Sequence, residues 1–157
     1  MNADALAALL ELVHQAGQAT LPFWRQDVAV TRKADDSPVT AADMAAHHIL
    51  AAGLPQILDI PLLSEEDSDI ALAQRQSWTR WWLVDPLDGT KEFIAGSDQY
   101  TVNVALIEDG RVLFGAVGVP AAGLCYYGGA GQGAFVTDGT EVRAIAEPLG
   151  IRFLSVG

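Results

Sequence analysis

The most sharply patterned stretch of the chain is Trp81-Trp82-Leu83-Val84-Asp85-Pro86-Leu87-Asp88-Gly89-Thr90, four large apolar residues followed at once by two carboxylates, a glycine and a hydroxyl. An apolar run this short predicts a strand, covered on both faces, that delivers its acids to a site at its end. Pro86 has no N–H for a sheet ladder, so the strand is expected to stop there and the chain to turn. Upstream, Leu6, Leu9, Leu10, Val13 and Ala16 recur at helical spacing with Glu11, Gln15 and Gln18 opposite. That predicts an amphipathic first helix, capped by Asn2 and ended or bent at Pro22. Val28 to Thr31 reads as a short strand. Pro38-Val39-Thr40 leads into a second helix, with Thr40 as its N-cap and Asp43 as the acid of a capping box. Ile60-Pro61-Leu62-Leu63 reads as another short strand, and it too ends in acids, Ser64-Glu65-Glu66-Asp67.

Ser68 to Ser77 is polar and reads as a loop or a short helix, and Lys91 to Asp98 as a loop. From Tyr100 to Ile107 the chain alternates, with Val102, Val104 and Leu106 on one face, and Asp109-Gly110 is a strong hairpin signal before the partner strand Val112 to Val119. Leu124 to Tyr127 and Ala134 to Val136 add two strands joined through the glycine-rich segment 128–133. No helical pattern follows those glycines, so they read as a hairpin turn and not as a phosphate loop. Helix, strand, helix and then an antiparallel meander predict an α+β fold, helices packed on a largely antiparallel sheet.

Composition narrows the function classes. The chain has 157 residues, half of them hydrophobic, enough to bury a core. Its net charge of −11 argues against a nucleic-acid surface or an anionic membrane as partner. An anionic substrate would need cations as intermediaries. Cys125 is the one cysteine, so no internal disulfide forms, and a reducing cytoplasm fits. It reads as a small buried side chain. The N-terminus lacks a basic region followed by an apolar core, and no run is long enough to span a membrane.

The chemistry lies in the acids. Asp85 and Asp88 flank a proline turn and are forced close together; like charges at that range repel, and a hard divalent cation relieves them by taking oxygens from both. Mg²⁺ is the natural candidate, with the Leu87 carbonyl as a further oxygen. A solvent-exposed turn accounts for the same residues. A calcium loop of the EF-hand type does not, because Leu87 and Gly89 fall where that loop needs oxygen side chains. His14 lies on the first helix without ligand-spaced companions, and His47 and His48, adjacent on the second, point in different directions, so none is read as a metal ligand.

The pairing of Leu63-Ser64-Glu65-Glu66-Asp67 with Trp82-Leu83-Val84-Asp85-Pro86-Leu87-Asp88-Gly89-Thr90-Lys91-Glu92-Phe93 resembles the inositol monophosphatase superfamily of Mg²⁺-dependent phosphatases. With the earlier segment from Lys33 to Asp43, it is most similar to the bacterial 3′(2′),5′-bisphosphate nucleotidase branch. The resemblance implies the N-terminal half of an αβαβα sandwich, with residues 1–148 as the metal-binding domain and 149–157 as the start of a second α/β domain, so that the chain reads as a truncated member. Ile151 to Val156 would be the first strand of that domain, which in the family supplies another metal carboxylate and much of the substrate pocket.

The activity implied is hydrolysis of adenosine 3′,5′-bisphosphate to AMP and phosphate by a metal-activated water, with no phosphoenzyme. Glu65, Asp85 and the Leu87 carbonyl would hold one Mg²⁺, and Asp85 and Asp88 would reach a second. Thr90 with Asp43 would orient the water beside Glu65 as the catalytic set. Glu65, Asp85, Leu87, Asp88, Gly89 and Thr90 would line the substrate, a small-molecule phosphate monoester, with the Gly89 and Thr90 N–H groups receiving its phosphate. Glu66 is the less committed acid of its pair. An inositol phosphate as substrate, or a non-catalytic metal-binding remnant, are the alternatives. A haloacid dehalogenase-like site, phosphorylated on Asp85, fits less well because one extra residue separates the two aspartates. The resemblance also admits peripheral association with the inner membrane, and an uncovered sheet would favour self-association.

Overall fold

The computed structural model describes residues 1–26, 38–66 and 69–145. The expected strands at 28–31 and 151–156, the acid Asp67 and the domain boundary at 148/149 lie outside the described residues. The first helix, α1, spans Ala3–Thr20, and Asn2 caps it as its sequence predicts, the side chain accepting a hydrogen bond from Ala5 N–H at 2.8 Å. Leu9, Val13 and Ala16 form its buried stripe, and Pro22 falls in a single 3-10 turn, Leu21–Phe23.

The second helix, α2, spans Pro38–Ile57. Proline suits a first helical turn because its missing N–H would have no intrahelical partner there. The start at Pro38 places Thr40 inside the helix, so the capping-box reading of Thr40 and Asp43 does not hold. Asp43 is thereby released from a capping role and lies one turn further along.

Among the described residues seven strands form one sheet in sequence order: β1 Leu62–Ser64, β2 Arg80–Asp88, β3 Thr101–Glu108, β4 Arg111–Val119, β5 Leu124–Gly129, β6 Gly133–Thr137 and β7 Val142–Ala144. β1 runs parallel to β2, and every later pair is antiparallel. The β3–β4 turn is Asp109-Gly110, both at positive φ (50° and 74°), the backbone that a two-residue hairpin demands. The glycine-rich segment closes the β5–β6 hairpin, as its sequence suggests. β7, three exposed residues without an alternating pattern, gave no signal in the sequence. Two short helices follow strands: α3 Leu72–Gln76, and α4 Thr90–Ile94 in the segment expected to be a loop.

One face of the sheet carries the core. Trp82, Val84, Val102, Val104, Leu106, Phe114 and Ala116 pack against Leu9, Val13, Leu50 and Leu54 of the two long helices. Fully burying one such side chain stabilises by roughly 1.5–3 kcal/mol, so contact with α1 and α2 holds the sheet, not the propensity of its short strands. Among the described residues little covers the other face. β2 was expected to be covered on both sides, yet Trp82 is fully buried while Leu83 is 40% exposed, with Val117 and Tyr126 on the same side at 38% and 40%. The alternation in β2 has period two, the sign of a half-buried strand.

Pro86 corrects a second expectation. β2 does not stop there but continues to Asp88, where it pairs with Thr101, and its register against β3 shifts between Asp85 and Asp88. A bulge accommodates a residue that cannot donate to the ladder. Past it, Leu87 turns into a second small core with Ala42, Phe93 and Tyr100.

Candidate active site

Three backbone features gather the acids. In the parallel β1–β2 register Ser64 lies opposite Val84, and the Glu65 N–H donates to the Val84 carbonyl at 3.0 Å. The next residue on each strand, Glu65 and Asp85, therefore emerges at the same end of the sheet, the end where parallel strands present their ligands. The bulge at Pro86 then carries the chain to Asp88, and Gly89 turns it into α4 with φ 90° and ψ 49°. A Cβ at Gly89 would stand 3.3 Å from the Tyr100 Cα, so both the conformation and the space call for glycine. Finally, Asp43 reaches in from α2.

The second core holds this turn in place. Phe93 and Tyr100 meet edge to face at 4.9 Å between ring centroids, and the buried Tyr100 hydroxyl is 2.8 Å from Thr20 Oγ1 at the end of α1. The Trp24 indole N–H donates to the Ser97 carbonyl at 3.0 Å. Thr90, exposed, heads α4 directly above this packing.

Five carboxylates thus face one another, and the electrostatics record it. Burial is the main cause that pushes the Asp43 carboxyl up to about 8, followed by a proton shared with Glu66 and the charges of Glu66, Asp85 and Glu65. Burial likewise leads in raising Asp85 to about 7, helped by a proton shared with Glu65 and by the charges of Glu65 and Asp88, and opposed by a backbone hydrogen bond at Leu87. Asp43 Oδ1 is buried without a hydrogen-bond partner. Among the described residues no Lys or Arg pairs with these acids; the ion pair there is Arg80 with Glu108, at 3.3 Å.

Such a donor set fits a hard divalent cation. It consists of oxygens, it is crowded with like charge, and it has an orphaned buried oxygen. No three His, Cys, Asp or Glu side chains among the described residues converge on one ion position. An ion would thus draw on two carboxylates, with carbonyl and water oxygens completing its shell.

Glu65, Asp85 and Asp88 come together at the sheet end, with Leu87 between the aspartates and Gly89 and Thr90 opening α4. Asp43 joins them, but its neighbour is Glu66, and among the described residues no hydrogen bond links it to Thr90. His48 is exposed and His14 is exposed on α1, as expected of helix-surface residues. His47, set aside in the sequence, is half-buried and bonds Ser64 at 2.9 Å. Its spacing of four from Asp43 puts both on one helix face, a signal that was available. Cys125 is buried, which lifts its thiol to about 11 and leaves it inert at neutral pH.

An acid-rich sheet end beneath stacked helices defines an α+β protein with a candidate metal centre where parallel strands terminate. The inositol monophosphatase family model matches residues 1–152, and the chain belongs to that family. It is 47% identical over 130 residues to the 3′(2′),5′-bisphosphate nucleotidase CysQ of Salmonella typhimurium, covering 81% of this chain and 52% of that protein. The CysQ of Escherichia coli strain K12 is 44% identical over the same length and shares. Among solved structures, CysQ from Bacteroides thetaiotaomicron, described as a bacterial member of the inositol monophosphatase family, superposes with a TM-score of 0.76 at 36% identity, covering 85% of this chain and 48% of that one. An inositol monophosphatase from Zymomonas mobilis gives 0.70 at 29% identity, covering 88% and 53%. The chain spans about half the length of the curated relatives it matches.

Proposed function

We propose that this chain carries the metal-binding half of a Mg²⁺-dependent phosphatase acting on phosphate monoesters, with adenosine 3′,5′-bisphosphate as the substrate and AMP and phosphate as products. The observation that carries the reading is the side-by-side emergence of Glu65 and Asp85, uncompensated by any cation among the described residues. Glu65, Asp85 and the Leu87 carbonyl would hold one Mg²⁺, and Asp85 with Asp88 would reach a second. The bound ions would lower the pKa of an attacking water and neutralise charge on the phosphoryl and leaving oxygens.

The chain's own residues orient the reaction. Asp43, held largely protonated without metal, is free to accept from a water or from the Thr90 hydroxyl once cations restore its charge. Thr90 stands at the head of α4, where its hydroxyl and its N–H, with that of Gly89, would receive the phosphate oxygens of a substrate. The similarity to CysQ proteins supports the nucleotide substrate, and the bare sheet face supports self-association when nothing else covers it. Among the described residues no helix is long and apolar enough to cross a membrane.

Phosphate release from adenosine 3′,5′-bisphosphate tests the reading, using this chain alone and mixed with a separately expressed C-terminal half of a CysQ relative. The proposal expects little turnover from the chain alone and Mg²⁺-dependent turnover from the mixture. Release of phosphate from inositol 1-phosphate in preference would replace the substrate. No turnover from the mixture despite complex formation would make the chain a metal-binding remnant.

A further inference from the structure

We propose that His47 is a positioning residue that holds the acid-bearing turn after β1 at its distance from α2. Resting on the metal-site reading above, the inference starts from a buried hydroxyl. Ser64 is fully buried at the end of β1, and its Oγ has two partners. One is His47 Nδ1 at 2.9 Å, and the other is the Glu66 N–H, which donates to it at 3.3 Å. A serine hydroxyl has one proton and two lone pairs, so it can serve both at once.

The consequence is geometric. The turn after β1 carries both acids, and each of its first two amides is tied down: Glu65 N–H to the Val84 carbonyl of β2, Glu66 N–H to Ser64 Oγ. The first tie fixes the turn to the sheet. The second passes through Ser64 to His47, and so to α2. Four residues before His47, on the same face of that helix, stands Asp43, whose carboxyl meets Glu66. One hydrogen bond thus links the helix that supplies Asp43 to the strand end that supplies Glu65 and Glu66. To the meeting of Asp43 with Glu66 and the apolar packing of α2 it adds a buried, directional tie between that helix and the acid turn. Groups that orient metal ligands from behind typically change metal affinity 10–100-fold when removed, roughly the range expected here.

A half-buried histidine can also be a mere space-filler, and the test must separate the two. The variants His47→Ala, His47→Asn, Ser64→Ala and the double alanine variant are compared in this chain by two measurements. The first is hydrogen exchange of the Glu66 amide in metal-free protein; the second is calorimetric titration with Mg²⁺ alone. The brace expects His47→Ala to speed Glu66 exchange by roughly fivefold or more while amides in the β3–β4 hairpin stay as they were. It also expects Mg²⁺ affinity to fall about tenfold, the double variant to be no worse than the worse single, and His47→Asn, which returns a polar atom near the Nδ1 position, to recover most of both losses. Unchanged Glu66 exchange in His47→Ala would overturn the inference, as would losses shared equally by the hairpin or additive losses in the double variant. Should the unsubstituted chain take up no Mg²⁺, the metal reading falls, and the exchange measurement alone decides the brace.

Discussion

Asp43 and Glu66 meet across the gap between α2 and the end of β1, with Asp43 Oδ1 buried and unpartnered and no cation beside either among the described residues. Asp85 and Glu65 repeat the arrangement a few residues away. Acids arranged in this way are destabilising when ionised, and a fold keeps them at the expense of its own stability unless a ligand arrives to neutralise them.

That cost sets a pH dependence for the metal-free chain. Asp43 and Asp85 are raised from an ordinary value of 3.8 to about 8 and about 7, so between those limits the folded chain keeps protons that the unfolded chain has lost. Stability rises with pH only where the unfolded state binds more protons, and here it binds fewer. Stability should therefore fall as pH climbs from about 4 to about 8. Urea midpoints measured in a chelator should be lower at about pH 8 than at about pH 5. Because metal competes with these protons, added Mg²⁺ should raise the midpoint more at the higher pH. A midpoint rising between those two pH values would contradict the burial of the acids.

Gly89 offers a test of the turn itself. Its φ of 90° and the 3.3 Å approach of a Cβ to the Tyr100 Cα should make Gly89→Ala strongly destabilising, by more than the ~1–2 kcal/mol of a left-handed backbone alone. Gly110→Ala is the control, since Gly110 also has positive φ, 74°, but no atom within 4 Å of the added Cβ. Equal losses in urea denaturation would mean that the contact with Tyr100 does not press on Gly89.

The bare face of the sheet carries the third prediction. Leu83, Val117 and Tyr126 lie beside a groove of about 540 Å³ that reaches Glu65 and Asp85. Apolar surface of this kind favours association despite the negative charge. Light scattering should show the chain associating with concentration, and Tyr126→Lys combined with Leu83→Gln should return it to a monomer. Association that survives both substitutions would place the contact elsewhere.

Much of this was legible in the sequence because the signals were local. Periodicity gave α1, alternation gave β3, and Asp109-Gly110 gave its hairpin, each within one window of residues. The acids at the ends of β1 and β2 announced a site because two apolar runs both broke off in carboxylates. What failed depended on partners distant in sequence. Whether β2 is covered on one face or two depends on what lies over Leu83, and four apolar residues in a row do not say. Pro86 reads as a stop, yet the pairing of Asp88 with Thr101 carries the strand past it. Thr40 looked like a cap because Thr-x-x-acid is a capping pattern, and the helix had already begun at Pro38. The closeness of Asp43 to Glu66, and of His47 to Ser64, follows from how α2 lies on the sheet, which no spacing encodes.

Calorimetric titration of Mg²⁺ into the chain, its Asp85→Asn variant and its Glu66→Gln variant tests whether Asp85 is shared between two ions. Asp85 adjoins both Glu65 and Asp88, so it would serve both ions, whereas Glu66 would serve neither. The unsubstituted chain should bind Mg²⁺, Asp85→Asn should lose at least about tenfold in affinity, or ~1.4 kcal/mol, and Glu66→Gln should change clearly less. Equal losses in the two variants, or no uptake by the unsubstituted chain, would contradict that sharing.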